Sequence, residues 1–125
     1  MDNNLDILEA LSDYCYLKSI ECEVASDGLQ GLSKIQEKEY DLILLDIEMP
    51  NYSGFDVLNQ LKKQGVLNKN IVVITATGLK LNDFNDYYEV GVKEILPKPI
   101  QLSHIGEVIT KYGHVLSKKN HFHNV

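Results

Sequence analysis

Asp41-Leu-Ile-Leu-Leu-Asp46-Ile-Glu-Met-Pro50-Asn-Tyr-Ser-Gly54 is the stretch from which the fold is read. Leu42 to Leu45 are apolar without alternation, the pattern of a strand covered on both faces, as in a parallel sheet flanked by helices. Asp46 then stands at the carboxyl end of that strand, and Met49-Pro50 through Gly54 turns the chain away before the next helix. In open α/β sheets the ligand crevice lies outside the carboxyl ends of the strands, so the expectation is an exposed aspartate on a rigid base.

Working outward, Ile71-Val-Val-Ile74 is a second short run without alternation, and it leads into Thr75-Ala-Thr-Gly78. Val92 to Leu96 makes a last strand ahead of Pro97-Lys98-Pro99. Upstream, Ile20, Cys22 and Val24 alternate with Glu21 and Glu23, which suits a half-exposed strand at a sheet edge. Between these segments lie helical stripes. Leu5, Leu8, Leu11 and Cys15 give a helix over roughly Leu5 to Lys18, and Leu29, Leu32 and Ile35 a second. Ser53 caps a third, with Asp56 completing a capping box, Phe55, Leu58 and Leu61 as its stripe and Gly65 at its end. Leu81, Phe84 and Tyr88 mark a fourth, stopped by Gly91, and Leu102, Ile105, Val108, Ile109 and Tyr112 a closing one. Helix and strand alternate throughout, so the class is α/β with right-handed crossovers and a mainly parallel sheet.

With 125 residues, 44 % of them hydrophobic, there is room for a single domain with one core. The net charge is −6 and all 12 basic residues are Lys, so no guanidinium fork is on hand for phosphates or bases, and direct nucleic-acid binding is not expected. No apolar run approaches the roughly 18 residues of a membrane span, and Cys15 and Cys22 follow no disulfide or metal spacing. The expectation is a cytoplasmic protein without a membrane partner. Gly113 to Val125 is polar and reads as a flexible tail; His121 and His123 within it lack the further ligands of a metal site.

Asp46, Thr75 and Lys98 are a carboxylate, a hydroxyl and an ammonium, each at or just beyond the end of a separate strand, where all can be aimed at one small site. Each is ordinary alone: a strand-end Asp is usually a helix cap, a Thr a β-former, a Lys between prolines a solvated loop residue. Their joint occurrence in this order carries the signal. Together with Asp27-Gly28, Leu42-Ile-Leu-Leu-Asp-Ile-Glu-Met-Pro50, Gly54, Ile74-Thr-Ala76 and Leu96-Pro-Lys-Pro99, the sequence resembles the receiver domain of bacterial two-component response regulators over about Asp2 to Tyr112.

That resemblance implies a flavodoxin-like sheet of order 2-1-3-4-5 and a cis Lys98-Pro99 peptide. It also implies Asp46 as phosphoacceptor, Thr75 as the hydroxyl bonding the phosphoryl group and Lys98 as the ammonium beside it. The phosphoryl group comes from a histidine kinase or phosphotransfer protein, and the switch is read by a downstream protein. Mg²⁺ is implied as cofactor, held by Asp46, the backbone carbonyl of Glu48 and Asp2. The chemistry suits the residue types, since phosphoryl transfer is mostly positioning plus neutralisation of charge on the equatorial oxygens.

The sequence departs from the family pattern at its start. The family opens with an apolar strand ending in an acidic pair, whereas Met1-Asp-Asn-Asn4 alone precedes the first helix here and places Asp2 and Asn3 at that pair. Weak Mg²⁺ binding is the expected consequence. The lost strand is central, so its place must be accounted for by missing upstream residues, by direct closure of its neighbours, or by a strand donated from another copy, giving a homodimer, or from the tail around His114-Val-Leu116. Ile95 also stands where the family often has an aromatic switch residue, which leaves Tyr87 and Tyr88 as candidates to read the switch. Two other functions compete: a degenerate receiver that binds partners without phosphorylation, and a Mg²⁺-dependent phosphohydrolase with Asp46 as nucleophile, for which Glu48-Met-Pro50 is a poor motif.

Overall fold

The computed structural model describes residues 3–19, 21–25, 27–49, 51–76, 78–112 and 121–124. In chain order these form α1 (Asn3–Leu17), β1 (Glu21–Val24), α2 (Gly28–Glu37), β2 (Leu42–Asp46), α3 (Gly54–Lys63), β3 (Ile71–Thr75), a 3-10 helix (Leu81–Tyr87), β4 (Val92–Pro97), α4 (Leu102–Tyr112) and β5 (His121–Asn124). The five strands make one sheet in the order β1-β5-β2-β3-β4, and every pairing is parallel.

The unbroken apolar strands are covered on both faces. Ile43 and Leu45 of β2 and Ile71 and Val73 of β3 meet Leu32, Ile35, Leu58, Leu61 and Phe84 on one side. Leu42, Leu44, Val72 and Ile74 meet Leu11, Cys15, Ile105, Val108 and Ile109 of α1 and α4 on the other. Every residue of β2 and β3 is buried, as expected for strands sandwiched between helix layers. β1 lies at the sheet edge, and α3 opens with the capping box of Ser53 and Asp56.

The central slot of the sheet is filled from within the chain. β5 lies between β1 and β2, with Phe122 opposite Cys22 on one side and Leu42 on the other. Counted by position, the order is that of the flavodoxin-like sheet, with the last strand in the place of the first. Neither direct closure of β1 onto β2 nor a second copy is needed. The flexible tail expected over 113–125 is corrected at His121–Asn124, which is a strand; residues 113–120 and 125, His114 and Leu116 among them, lie outside the described residues.

Three smaller expectations change. The fourth helix is 3-10, with Phe84 breaking helical geometry at φ −109° and ψ 17° while its ring stacks on Phe55 at 5.2 Å. Tyr88 does not point inward: it is 77 % exposed. Tyr87 turns in instead and donates from its hydroxyl to Asn59 Oδ1 at 2.6 Å. Leu29 is likewise exposed, and Gly28 and Gly31 take the inner face of α2 beside Leu32 and Ile35.

Candidate functional site

β2 delivers Asp46 to the carboxyl edge of the sheet, and the chain behind it is held by two backbone bonds. Ile47 N–H donates to the Ile74 carbonyl at 2.9 Å, tying the end of β2 to β3, and Gly54 N–H donates to the Ile47 carbonyl at 3.1 Å, closing the loop that starts α3. Gly54 is required there by close approach: a Cβ would lie 2.7 Å from the Asp46 carbonyl oxygen. The aspartate is therefore positioned by a fixed turn.

β3 ends at Thr75, which is buried, and Lys98 follows β4. The Lys98 amide donates to the Thr75 carbonyl at 3.0 Å, which registers the lysine against the strand next door, and the Lys98-Pro99 peptide is cis, as the family likeness implied. The ammonium then reaches back over the sheet edge. Lys98 Nζ is 3.0 Å from Asp46 Oδ2 and 3.4 Å from Glu48 Oε1. Its side chain is only 13 % exposed, so it is a member of the site and not a solvated loop residue.

Glu48 contributes more than the sequence suggested. In the receiver reading only its backbone carbonyl was expected to matter, yet its carboxylate accepts from the Thr75 hydroxyl and, at 2.8 Å, from the Ala76 amide. Its own N–H donates to Asp46 Oδ1 at 2.9 Å. The available signal was an acidic residue two positions beyond the strand-end aspartate; the Ala76 amide, a backbone group, left no signal in the residue types.

The two carboxyls are perturbed in opposite directions. Burial pushes Asp46 above its ordinary value, against the opposing pull of the Lys98 ammonium and the Glu48 amide. Burial acts the same way on Glu48 but is outweighed by its bonds from Thr75, Ala76 and Lys98, so Glu48 lies below the usual carboxylate range. Although Lys98 touches both, Asp46 is the more enclosed of the two, and desolvation prevails there.

Asp46, Thr75 and Lys98 thus converge. Of the expected Mg²⁺ ligands, Asp46 and Glu48 lie side by side, while Asp2 falls outside the described residues. A carboxylate and a backbone carbonyl are hard oxygen donors of the kind Mg²⁺ takes, so the pair fits the ion. β5 adds no carboxylate, because His121-Phe-His-Asn124 has none, and no group of three or more metal-ligating side chains occurs among the described residues. No helix among them is long and apolar enough to cross a membrane.

Comparison with known proteins agrees with this geometry. The family model for the response regulator receiver domain matches residues 1–110. The chain is 33 % identical over 99 residues to a transcriptional regulatory protein CpxR homolog of Haemophilus influenzae, covering 79 % of this chain and 42 % of that one. It is 32 % identical over 104 residues to hybrid signal transduction histidine kinase G of Dictyostelium discoideum, covering 81 % of this chain but 3 % of the kinase. The chain therefore spans less than half the length of either relative. Among solved structures, the receiver domain of Francisella response regulator 1452 superposes with a TM-score of 0.71 at 25 % identity, covering 89 % of this chain and 91 % of that one. Response regulator TrrA of Thermotoga maritima, solved in complex with Mg²⁺-BeF, gives 0.69 at 28 % identity, covering 89 % and 93 %.

Proposed function

This chain belongs to the response regulator receiver domain family, and we propose that Asp46 is its phosphoacceptor, with Thr75 and Lys98 taking up the phosphoryl oxygens. The observation that carries the assignment is the 3.0 Å approach of Lys98 Nζ to Asp46 Oδ2, from a residue 52 positions away and held in register by its amide bond to Thr75.

In the proposed step an Asp46 oxygen attacks the phosphorus of a phosphohistidine on a histidine kinase or phosphotransfer protein. The phosphorus–nitrogen bond breaks, and its electron pair leaves with the imidazole, which takes up a proton. Lys98 neutralises charge on the transferred group and Thr75 donates to one of its oxygens. Asp46 and the Glu48 carbonyl would hold Mg²⁺, which would supply further neutralisation of the phosphoryl charge. The chain's own chemistry is confined to gaining and losing that phosphoryl group, and a downstream protein reads the difference. The slot between β1 and β2 is filled by β5 of the same chain, so this reading calls for no second copy.

A phosphohydrolase would need a proton donor two residues beyond the nucleophile. Glu48 stands there with its carboxylate accepting from a hydroxyl and an amide and held near an ammonium, a setting that favours the ionised form. Receiver chemistry is the better fit. Incubation with acetyl phosphate and Mg²⁺ should place one hydroxylamine-labile acyl phosphate on the chain, and Asp46→Asn should abolish it with the fold intact. Equal labelling of that variant overturns the assignment.

A further inference from the structure

We infer that the Glu48 carboxylate is an internal anion seated where the transferred phosphoryl oxygens must go, so that phosphorylation proceeds by displacing it. The inference rests on the reading of Asp46 as phosphoacceptor and deepens it by adding a gate to the site.

Three donors lie together beside Asp46 at the carboxyl edge of the sheet: the Thr75 hydroxyl, the Ala76 amide and the Lys98 ammonium. One carboxylate holds all three. Glu48 Oε2 accepts from Thr75, and Oε1 accepts from Ala76 at 2.8 Å and lies 3.4 Å from Lys98 Nζ. A hydroxyl, a backbone N–H and an ammonium grouped around two oxygens form a cradle suited to any small oxyanion, and charge-assisted bonds of this kind are among the stronger ones. A phosphoryl group built on Asp46 needs the same donors, and they cannot serve both anions fully.

Charge reinforces the competition. With Asp46 and Glu48 ionised and Lys98 the cation between them, the cluster carries a net charge of −1 where a more negative group has to arrive. Displacement remains feasible because the Glu48 side chain is 31 % exposed and borders water. Its backbone amide stays bonded to Asp46 Oδ1 at 2.9 Å, so the carboxylate can swing away while the main chain at position 48 stays in place.

The test compares labelling by acetyl phosphate for the unaltered chain, Glu48→Ala, Glu48→Asp and Glu48→Asn, each also in the Asp46→Asn background. Glu48→Asp keeps the charge but shortens the reach by one methylene, so it separates seating from simple repulsion. All three single variants should label faster, by about tenfold for Glu48→Ala, the scale of losing one net charge-assisted hydrogen bond. The Ala76 amide resonance of the unphosphorylated chain should shift in each of them. No label should appear in the Asp46→Asn background.

Equal rates across the series, with normal labelling of the unaltered chain, overturn the gate and leave the phosphoacceptor reading standing. Faster labelling in Glu48→Ala and Glu48→Asn but not in Glu48→Asp also overturns it, since charge alone then accounts for the effect. Labelling of none of them overturns both readings. Labelling of the variants alone supports the gate in its strongest form.

Discussion

Lys98 Nζ lies 3.0 Å from Asp46 Oδ2, an ion pair joining the chain that follows β4 to the end of β2 across the intervening β3. With side chains 13 % and 11 % exposed, the pair is shielded from bulk water, and Lys98 is its cation. Lys98→Ala should therefore slow phosphorylation by acetyl phosphate by about tenfold or more, the usual scale for loss of one preorganised electrostatic partner. The same variant should also show a weaker conformational response once phosphorylated. An unchanged labelling rate would mean that the ammonium plays no part in the reaction.

β5 gives a prediction about stability. A central strand needs its backbone N–H groups for the ladders on either side, and Phe122 is paired with both Cys22 and Leu42. Phe122→Pro removes one of those donors and strands its acceptor, at a cost of about 1–3 kcal/mol from the lost bond before any distortion is added. Urea unfolding should show a lower midpoint. A midpoint equal to that of the unaltered chain contradicts the placement of β5.

The acid side of the stability profile should depend on Glu23. The Lys38 ammonium holds its carboxyl below the ordinary value of 4.5 against the opposing effect of burial, with help from the Tyr40 hydroxyl and Lys34. A depressed folded-state value means that the unfolded chain binds the proton more readily. The contribution is thus full above about pH 4.5 and is lost as the pH falls through the folded-state value. Thermal melts of the unaltered chain and of Glu23→Gln should differ most near neutrality and converge toward pH 3. A gap that widens on acidification reverses the sign and refutes the argument.

Mg²⁺ should bind weakly before phosphorylation. The ion gives up its waters only to several fixed anionic oxygens, and here β5 supplies no carboxylate while Asp46 is engaged by Lys98 and the Glu48 amide. Isothermal titration should show a site that fills only in large excess of Mg²⁺, and Asp46→Asn should remove it. Tight binding by the unaltered chain would mean that other ligands hold the ion.

Much of this architecture can be read from residue types. The runs Leu42–Leu45 and Ile71–Ile74 lack alternation because alternate side chains face two different helix layers, and the polar residues placed after them converge because parallel strands end on one edge. β5 was hidden for the opposite reason. His121-Phe-His-Asn124 has a single apolar residue, so nothing in its pattern marks a central strand; only the gap elsewhere in the sheet called for one. Leu81, Phe84 and Tyr88 follow the α-helical period, whereas a 3-10 helix turns every three residues and brings Tyr87, not Tyr88, onto the face of Phe84, where Phe84 stacks on Phe55. The direction of the Glu48 carboxylate depends on where β3 ends beside it, which local sequence does not encode.

The position of β5 also fixes an order of events during synthesis. β1 and β2 are made before β5, yet they finish two strand spacings apart, roughly 9–10 Å, with β5, the last of the described elements in chain order, between them. Direct pairing of the facing edges of β1 and β2 would shut the slot that His121–Asn124 fills. Closing the described sheet is a long-range event, since Phe122 pairs with Cys22 and Leu42, 100 and 80 positions earlier in the chain.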